Sequence, residues 1–480
     1  MSVRPFALAL SMILLATGLV VTPAAAAGPM ERTAVSAIEL PDGISRLGGD
    51  NRYLTAVRIS QQYPSGVPAV FVATGTTFPD ALSAAAAAAR AQAPLLLTSP
   101  GAISVDVLAE IRRLAPEKIY AIGGESAVSR AVFDTLESVA PTSRIAGSGR
   151  YETSAEVVKH FFPSSSHAFI ATGRNFPDAL AATSAAGSLA APVLLVDGRS
   201  PSVPSSTIAL LQSLGVNTVH ISGGPAVVSA GIASQLSDSG FSVERHGGAT
   251  RYETAATLNE AFFSPGATST VFLATGTNFP DALAGAALAG MMGAPMFLTE
   301  VTCTPPVIQD GIAQLAAPRT VVLGAPSVVS ENAANNIGCL RSSQPTISGS
   351  PQVGNTLVAN AGVWTSGAAL AFQWLANGSP ISGANAGELV LTADLLGKRI
   401  SVLVSGSLVG FIGVSNTSPQ TSAVYQNDPW NCPADRPIKG NANSGIYHVP
   451  GASFYTRTKP EQCFATEAEA IAAGYRKAKV

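Results

Sequence analysis

The sequence ATGxxFPDAL occurs three times, at residues 73–82, 171–180 and 274–283, so the chain must be built on one folding unit used three times. Each copy follows a short apolar run (VFV, AFI, VFL) and precedes an Ala-rich run, an Ala-Pro step and a second apolar run. That order reads as strand, turn, helix, strand. Landmarks recur around every copy: RLGGDNRYLTA from Arg46, RIAGSGRYETS from Arg144 and RHGGATRYETA from Arg245 upstream, IGGESAVS from Ile122, SGGPAVVS from Ser222 and LGAPSVVS from Leu323 downstream. The upstream landmarks lie 98 and 101 residues apart, the size of a whole small domain rather than of a solenoid coil.

In the first copy the pattern predicts strands at 70–73, 95–98, 118–122 and 144–146, with helices at 53–62, 80–91, 105–114 and 129–139. Strands alternating with helices require crossover connections and a parallel sheet buried on both faces, an α/β fold. An apolar fraction of 47% supplies such cores, and a net charge of −2 in 480 residues leaves no global field to draw nucleic acid or an anionic membrane. Any recognition of an anion must be local.

Residues 1–27 carry Arg4, an apolar run and Ala24 to Ala27, and read as a secretory signal cleaved near Ala27, followed by a linker at 28–44. An uncleaved anchor is the rival reading, opposed by the polar stretch after Gly28. No later run approaches the roughly 18 apolar residues of a spanning helix, so no transmembrane segment is expected after cleavage. With no LPxTG-like pentapeptide, attachment outside the cell is expected to be non-covalent.

Pro79, Pro177 and Pro280 stand where a helix begins, and Asp80, Asp178 and Asp281 follow in the first turn, where the helix dipole favours a carboxylate. Arg52, Arg150 and Arg251 open another helix in each copy, where a cation opposes the dipole and needs a partner. Each could bridge the Asp of its own repeat, the reading placed first, or hold an external anion together with backbone N–H groups at the strand-to-helix turns. The adjacent Tyr53, Tyr151 and Tyr252 suit core packing ahead of sugar stacking, and Thr74, Thr172 and Thr275 suit turn hydroxyls. The Gly-Gly steps at Gly123 and Gly223 form no GxGxxG fingerprint, so no dinucleotide or other cofactor is expected.

Together GG..RY.TA, ATG.NFPDAL, AP.LLT and IGG...VS resemble the cell wall-binding repeat 2 family of secreted, surface-layer and autolysin proteins. The resemblance divides the region into repeats at 45–140, 141–240 and 241–341. It implies three Rossmann-like or flavodoxin-like domains in a pseudo-three-fold arrangement, holding an anionic cell-wall polysaccharide or teichoic-acid-like polymer without covalent attachment. The family's PILL segment falls on Pro94, Leu95, Leu96 and Leu97, on Pro192, Val193, Leu194 and Leu195, and, with a departure from the pattern, on Pro295, Met296, Phe297 and Leu298. With Arg52, Tyr53, Asp80 and their equivalents, these are the candidate ligand-binding residues.

Residues 342–425 change to short alternating runs between turn residues, which predicts a small antiparallel β-sandwich with Trp364 and Trp374 in its core. The stretch resembles bacterial immunoglobulin-like repeats, implying a spacer or adhesion role. Residues 428–480 resemble the small sunset-type domain of secreted bacterial proteins, an α+β tail. Four cysteines allow three connectivities. Cys303 with Cys339 and Cys432 with Cys463 keep each bond within one module. Cys432, Cys463 and His448 fall short of the four ligands of a structural zinc, so no metal is expected.

An enzyme needs a base, a nucleophile or a metal that the repeats share. His160, His167, His220, His246 and His448 occupy non-equivalent places, and each repeat offers one Asp rather than an acid pair. The chain is therefore expected to bind rather than catalyse, at the cell surface. A wall hydrolase, and a surface protein whose last two modules do the recognising, are the alternatives.

Overall fold

The apolar runs on either side of each Ala-rich segment become neighbouring parallel strands, and the Ala-rich segment becomes the helix that crosses between them. The structure, a computed structural model, describes residue 38 and residues 40–426, 430–433 and 435–479; the expected signal lies outside the described residues. In chain order the first elements are β1 (Gly43–Leu47), α1 (Arg52–Ser60), β2 (Val70–Thr74), α2 (Pro79–Arg90), β3 (Leu95–Thr98), α3 (Val105–Leu114), β4 (Ile119–Ile122), α4 (Arg130–Glu137) and β5 (Thr142–Ile145). The second round comprises α5 (Arg150–Phe161), β6 (His167–Thr172), α6 (Pro177–Ser188), β7 (Val193–Val196), α7 (Ser205–Ser213), β8 (Thr218–Ser222), α8 (Ala230–Asp238) and β9 (Ser242–His246). The third comprises α9 (Arg251–Phe262), β10 (Thr270–Thr275), α10 (Pro280–Met292), β11 (Met296–Thr299), α11 (Pro306–Leu315), β12 (Arg319–Leu323) and α12 (Glu331–Ala334). Helices α2, α6 and α10 begin at the prolines where the missing N–H costs nothing.

The three sheets run β3-β2-β4-β5, β7-β6-β8-β9 and β11-β10-β12-β1, and every ladder in them is parallel. Within a module this is the 2-1-3-4 order of a flavodoxin-like sheet, whose switch point lies between its first and third strands. The closing strand of each sheet precedes the next module's RY segment, so β5 completes the first sheet although it falls within the repeat expected at 141–240. The third sheet takes β1, which pairs with β12 from Gly43↔Arg319 to Leu47↔Leu323. The first strand of the set thus closes the last module.

Helices α2, α6 and α10 pack on their own sheets and on one another, which leaves them buried nearly all round. Alanine suits both demands, as the strongest helix former and a side chain small enough for close approach. Ala89, Gly187 and Gly290 share one position in the three helices: a methyl built on Gly187 would come within 3.0 Å of Gly290. At the start of the same helices Phe78, Phe176 and Phe279 form a closed triangle, with ring centroids 6.0, 5.7 and 5.7 Å apart. Helices α1, α5 and α9 fill the junctions between modules. Each packs on the second strand of its own sheet and on a neighbour's central helix: α1 on β3 and α10, α5 on β7 and α2, α9 on β11 and α6.

Beyond the third module, Thr346–Ser348, Thr356–Asn360 and Glu388–Val390 form one antiparallel sheet. Ser379–Pro380, Ala369–Ala376, Ile400–Ser407 and Val414–Thr417 form another. Both contribute to one core, Leu357 and Leu389 from the first sheet, Trp374, Ile400, Val402 and Val404 from the second. Trp374 is fully buried and its Nε1 donates to Ala386 O at 2.9 Å, while Trp364 is half-buried against the same core. The tail is a four-stranded sheet with the short helix Glu467–Ala472, around Ile438, Tyr447, Phe464 and Ala470. Both disulfides form as expected, Cys303–Cys339 and Cys432–Cys463.

Candidate functional site

Each RY pair clasps the ATG glycine of its own module. Arg52 Nη1 donates to Gly75 O at 2.5 Å, Arg150 Nη1 to Gly173 O at 2.7 Å, and Arg251 Nη1 to Gly276 O. The tyrosine beside it presses its ring edge on the same glycine: a Cβ there would stand 2.9 Å from Tyr53, 2.6 Å from Tyr151 and 2.6 Å from Tyr252. The invariable glycine of the three motifs is the space these rings need. All three tyrosines are half-buried. The hydroxyls of Thr74, Thr172 and Thr275 accept from the backbone N–H two residues on, each at 3.2 Å, and so close the turn.

The three carboxylates look across a junction. Thr55 and Arg52 draw down the carboxyl of Asp281, Thr254 and Arg251 that of Asp178, and Arg150 that of Asp80. Pairing of each Arg with the Asp of its own repeat is therefore not what the fold builds. Among the described residues none of these arginines forms a salt bridge with any of these aspartates, and the nearer attraction runs to a different module. The reason is the placement of α1, α5 and α9 on a neighbour's central helix. Two of the arginines also lie over a neighbour's Phe, Arg52 over Phe279 and Arg251 over Phe176, each 5.8 Å from the ring centroid.

Each Asp sits at the switch point of its sheet. The glycine after the third-strand position, Gly123, Gly223 or Gly324, has φ of +104°, +108° or +100°. A Cβ on Gly223 or Gly324 would stand 2.7 Å from the carboxylate of Asp178 or Asp281, and Gly123 is similarly close to Asp80. Positive φ and lack of space together explain the recurring glycine that a dinucleotide fingerprint does not. Burial pushes the Asp80 and Asp178 carboxyls from 3.8 up to about 6 against the pull of Arg150 and of Thr254 with Arg251, and burial likewise raises Asp281.

At the junction of the second and third modules this arrangement opens into a cleft of about 240 Å³. Arg174, Arg199, Arg251, Asn175 and Thr250 line it, with Asp178 at its wall. Thr250 caps the start of α9 through a bond from Glu253 N at 3.2 Å. Arg174 is held at 2.5 and 2.8 Å by both oxygens of Asp197, whereas exposed Arg199 has no ion pair among the described residues. Arginines at a helix start, beside N–H groups of a strand-to-helix turn, can hold an anion. The equivalents of Arg174 are Thr76 and Thr277, so of the three repeats only the second carries a cation at this position.

Not all expected ligand contacts reach a surface. Pro94 to Leu97, Pro192 to Leu195 and Pro295 to Leu298 enter β3, β7 and β11 and are buried throughout beneath α1, α5 and α9. They are core, and their apolar character already fits a parallel strand covered on both faces. Arg46, Arg144 and Arg245, not singled out from the sequence, pin their strands by donating to Gly324 O, Gly123 O and Gly223 O at 2.9, 2.8 and 2.8 Å. Their recurrence at the head of each landmark was the available signal. The histidines of the second module also gather: His167, His220 and His246 lie on β6, β8 and β9 with their rings in contact. Non-equivalence across the repeats concealed that grouping, because the cluster belongs to one module alone.

Residues 46–133, 144–233 and 245–334 match the family described as cell wall binding domain 2 (CWB2), and residues 419–477 match a family described as ArfC. The chain is 32% identical over 259 residues to the N-acetylmuramoyl-L-alanine amidase LytC of Bacillus subtilis (strain 168), a span of 54% of this chain and 50% of that protein. It is 27% identical over 292 residues to the Amidase enhancer of the same organism, 61% of this chain and 40% of the relative. Two solved structures share the architecture at 26% identity, Cwp6 and Cwp8 from Clostridium difficile. Their TM-scores are 0.57 and 0.56, over 63% and 61% of this chain and 49% and 50% of theirs. The chain thus spans half or less of the length of each of these proteins.

Proposed function

This chain belongs to the cell wall binding domain 2 family, and from that membership we propose that its three modules attach it non-covalently to the wall by holding an anionic envelope polysaccharide in the clefts between modules. The observation that carries the reading is the cleft at the second junction, where Arg174, Arg199 and Arg251 meet the start of α9. Three arginines there face the carboxylates of Asp178 and Asp197, a local excess of positive charge on a chain whose overall charge is −2. A repetitive polymer reaching several junctions at once would gain by effective concentration rather than by one tight contact.

The similarity to the amidase lies in the repeat region, so it bears on attachment and not on amide hydrolysis. On this reading residues 1–27 direct secretion, and the sandwich and the disulfide-bonded tail serve as a spacer and terminal module displayed by the anchored repeats. The test is co-sedimentation of the whole chain with purified walls before and after extraction of their anionic polymers. Retention should fall steeply on the extracted walls. Equal retention on bare peptidoglycan would reject the anionic-polymer reading.

A further inference from the structure

The second module differs from its siblings at three positions that converge. Across the β8–β9 ladder His220 stands opposite Glu244, and His246 follows Glu244 by two residues, which places both side chains of β9 on one face. The corresponding residues are Tyr120, Ser143 and Ile145 in the first module and Val321, Ser45 and Leu47 in the third. The fold is thus complete without imidazole or carboxylate at these positions. His220 and His246 are nonetheless buried, and a buried polar side chain destabilises unless it is partnered.

Three atoms define the convergence. His220 Nδ1 is 3.2 Å from His246 Nε2 and 3.4 Å from Glu244 Oε2, and the last two are 3.9 Å apart. A triangle with those sides has a centre about 2.0 Å from every corner, within the roughly 2.0–2.2 Å bonding distance of Zn²⁺ to imidazole nitrogen and carboxylate oxygen. The other ring nitrogen of His220, Nε2, hydrogen-bonds His167 Nδ1 at 3.1 Å, the kind of outer contact that fixes the orientation of a ligating imidazole. Phe262 of α9 covers the rings, 5.0 Å from His220 and 5.2 Å from His246 between centroids, while Glu244 remains exposed to solvent.

We propose that His220, His246 and Glu244 form a binding site for one divalent transition-metal ion of the Zn²⁺ class, with His167 as the residue that orients His220. Solvent on the Glu244 side completes the coordination. Two nitrogens and one carboxylate oxygen favour Zn²⁺, Cu²⁺ or Ni²⁺ over Mg²⁺ or Ca²⁺, which take oxygen ligands. The ion ties β8 to β9 beneath the helix that carries Arg251, so it stiffens the junction bearing the arginine cleft without lying in it. Its existence does not depend on what the cleft holds.

Calorimetric titration of the EDTA-treated full chain, prepared without a histidine tag, with ZnCl₂ alone tests this directly. The wild type should take up a single saturable ion and melt at a higher temperature with Zn²⁺ than without. Glu244→Gln, at an exposed position, should lose that ion and the thermal shift. His220→Tyr with His246→Ile installs the residues of the first module, so it should fold and show the same loss. Absence of saturable binding by the wild type, or unchanged uptake and thermal shift in both variants, would overturn the site.

Discussion

The hydroxyl of Thr55, in the first helix of the first module, faces the carboxyl of Asp281 in the third and draws its pKa down against burial. Thr254 stands in the same relation to Asp178 at the junction of the third module with the second. Together with β1 on β12, the contact means that the start of the repeat region and its end meet through the same chemistry that joins consecutive modules. The three modules close on themselves within one chain.

The closing strand is open to direct test. Gly43 N donates to Pro318 O, and the alternation of a parallel ladder puts the N–H of Ser45 in the same row. Ser45→Pro should remove that donor, lower stability by about 1–3 kcal/mol and raise amide exchange in β12, far away in sequence. Unchanged protection of Val321, Val322 and Leu323 would contradict the closure.

The central helices should tolerate no bulk where they meet. Gly187→Val forces a branched side chain into the backbone of Gly290 and should cost about 1–3 kcal/mol or prevent folding. The same residue placed at Gly215, whose φ is +74° but where nothing lies within 4 Å, probes backbone strain alone. Thermal denaturation of the pair separates packing from conformation, and equal losses would argue against close helix approach.

The contribution of Asp80 and Asp178 to stability should fall as pH rises from about 4 to about 7, opposed by the histidines whose imidazoles burial pushes down. The folded carboxyls of Asp80 and Asp178 titrate near 6 instead of 3.8, so in that window the native state holds protons that the unfolded chain has lost. Protonation therefore favours the fold, and ionisation at higher pH costs up to about 3 kcal/mol per group. Asp80→Asn with Asp178→Asn should remove this falling contribution, so that the Tm of the double variant gains on that of the wild type as pH rises. A wild-type Tm that climbs across the window, with the same slope in the double variant, would refute the assignment.

Much of this was legible in the sequence because repetition exposes backbone demands. The Pro at each helix start, the Ala-rich crossover and the apolar strands follow from local geometry, and all three modules obey them. What the sequence hid was which module each side chain faces. Arg52 and Asp80 each stand in the first turn of a helix of one repeat, which suggests a bond within it, yet α1 packs on α10 and brings Thr55 to Asp281. The buried PILL strands were misplaced for a related reason: a recurring apolar segment looks the same whether it serves a ligand or a core. The His220 and His246 pair was hidden because the strand order that unites them is a tertiary fact.

The tail should depend on its disulfide more than the repeats do on theirs. Among the described residues its core is Ile438, Tyr447, Phe464 and Ala470, with Val449 and Tyr475 against them, and the Cys432–Cys463 bond closes a separation of 31 residues. Closing a loop of that length contributes about 3–4 kcal/mol on the chain-entropy model. Cys432→Ser with Cys463→Ser should unfold the tail while the main thermal transition stays in place, as limited proteolysis and calorimetry would show. A tail that remains resistant to protease would refute the expectation.

The most direct test of the central claim is the salt dependence of wall retention by Arg174→Gln with Arg199→Gln, two exposed cleft residues outside the Arg–Gly clasps. If the junction cleft holds an anionic polymer, the double variant should bind walls about tenfold more weakly, a change of about 1.4 kcal/mol, and show a shallower loss with salt at an unchanged Tm. Wild-type retention with the wild-type salt dependence would contradict the account.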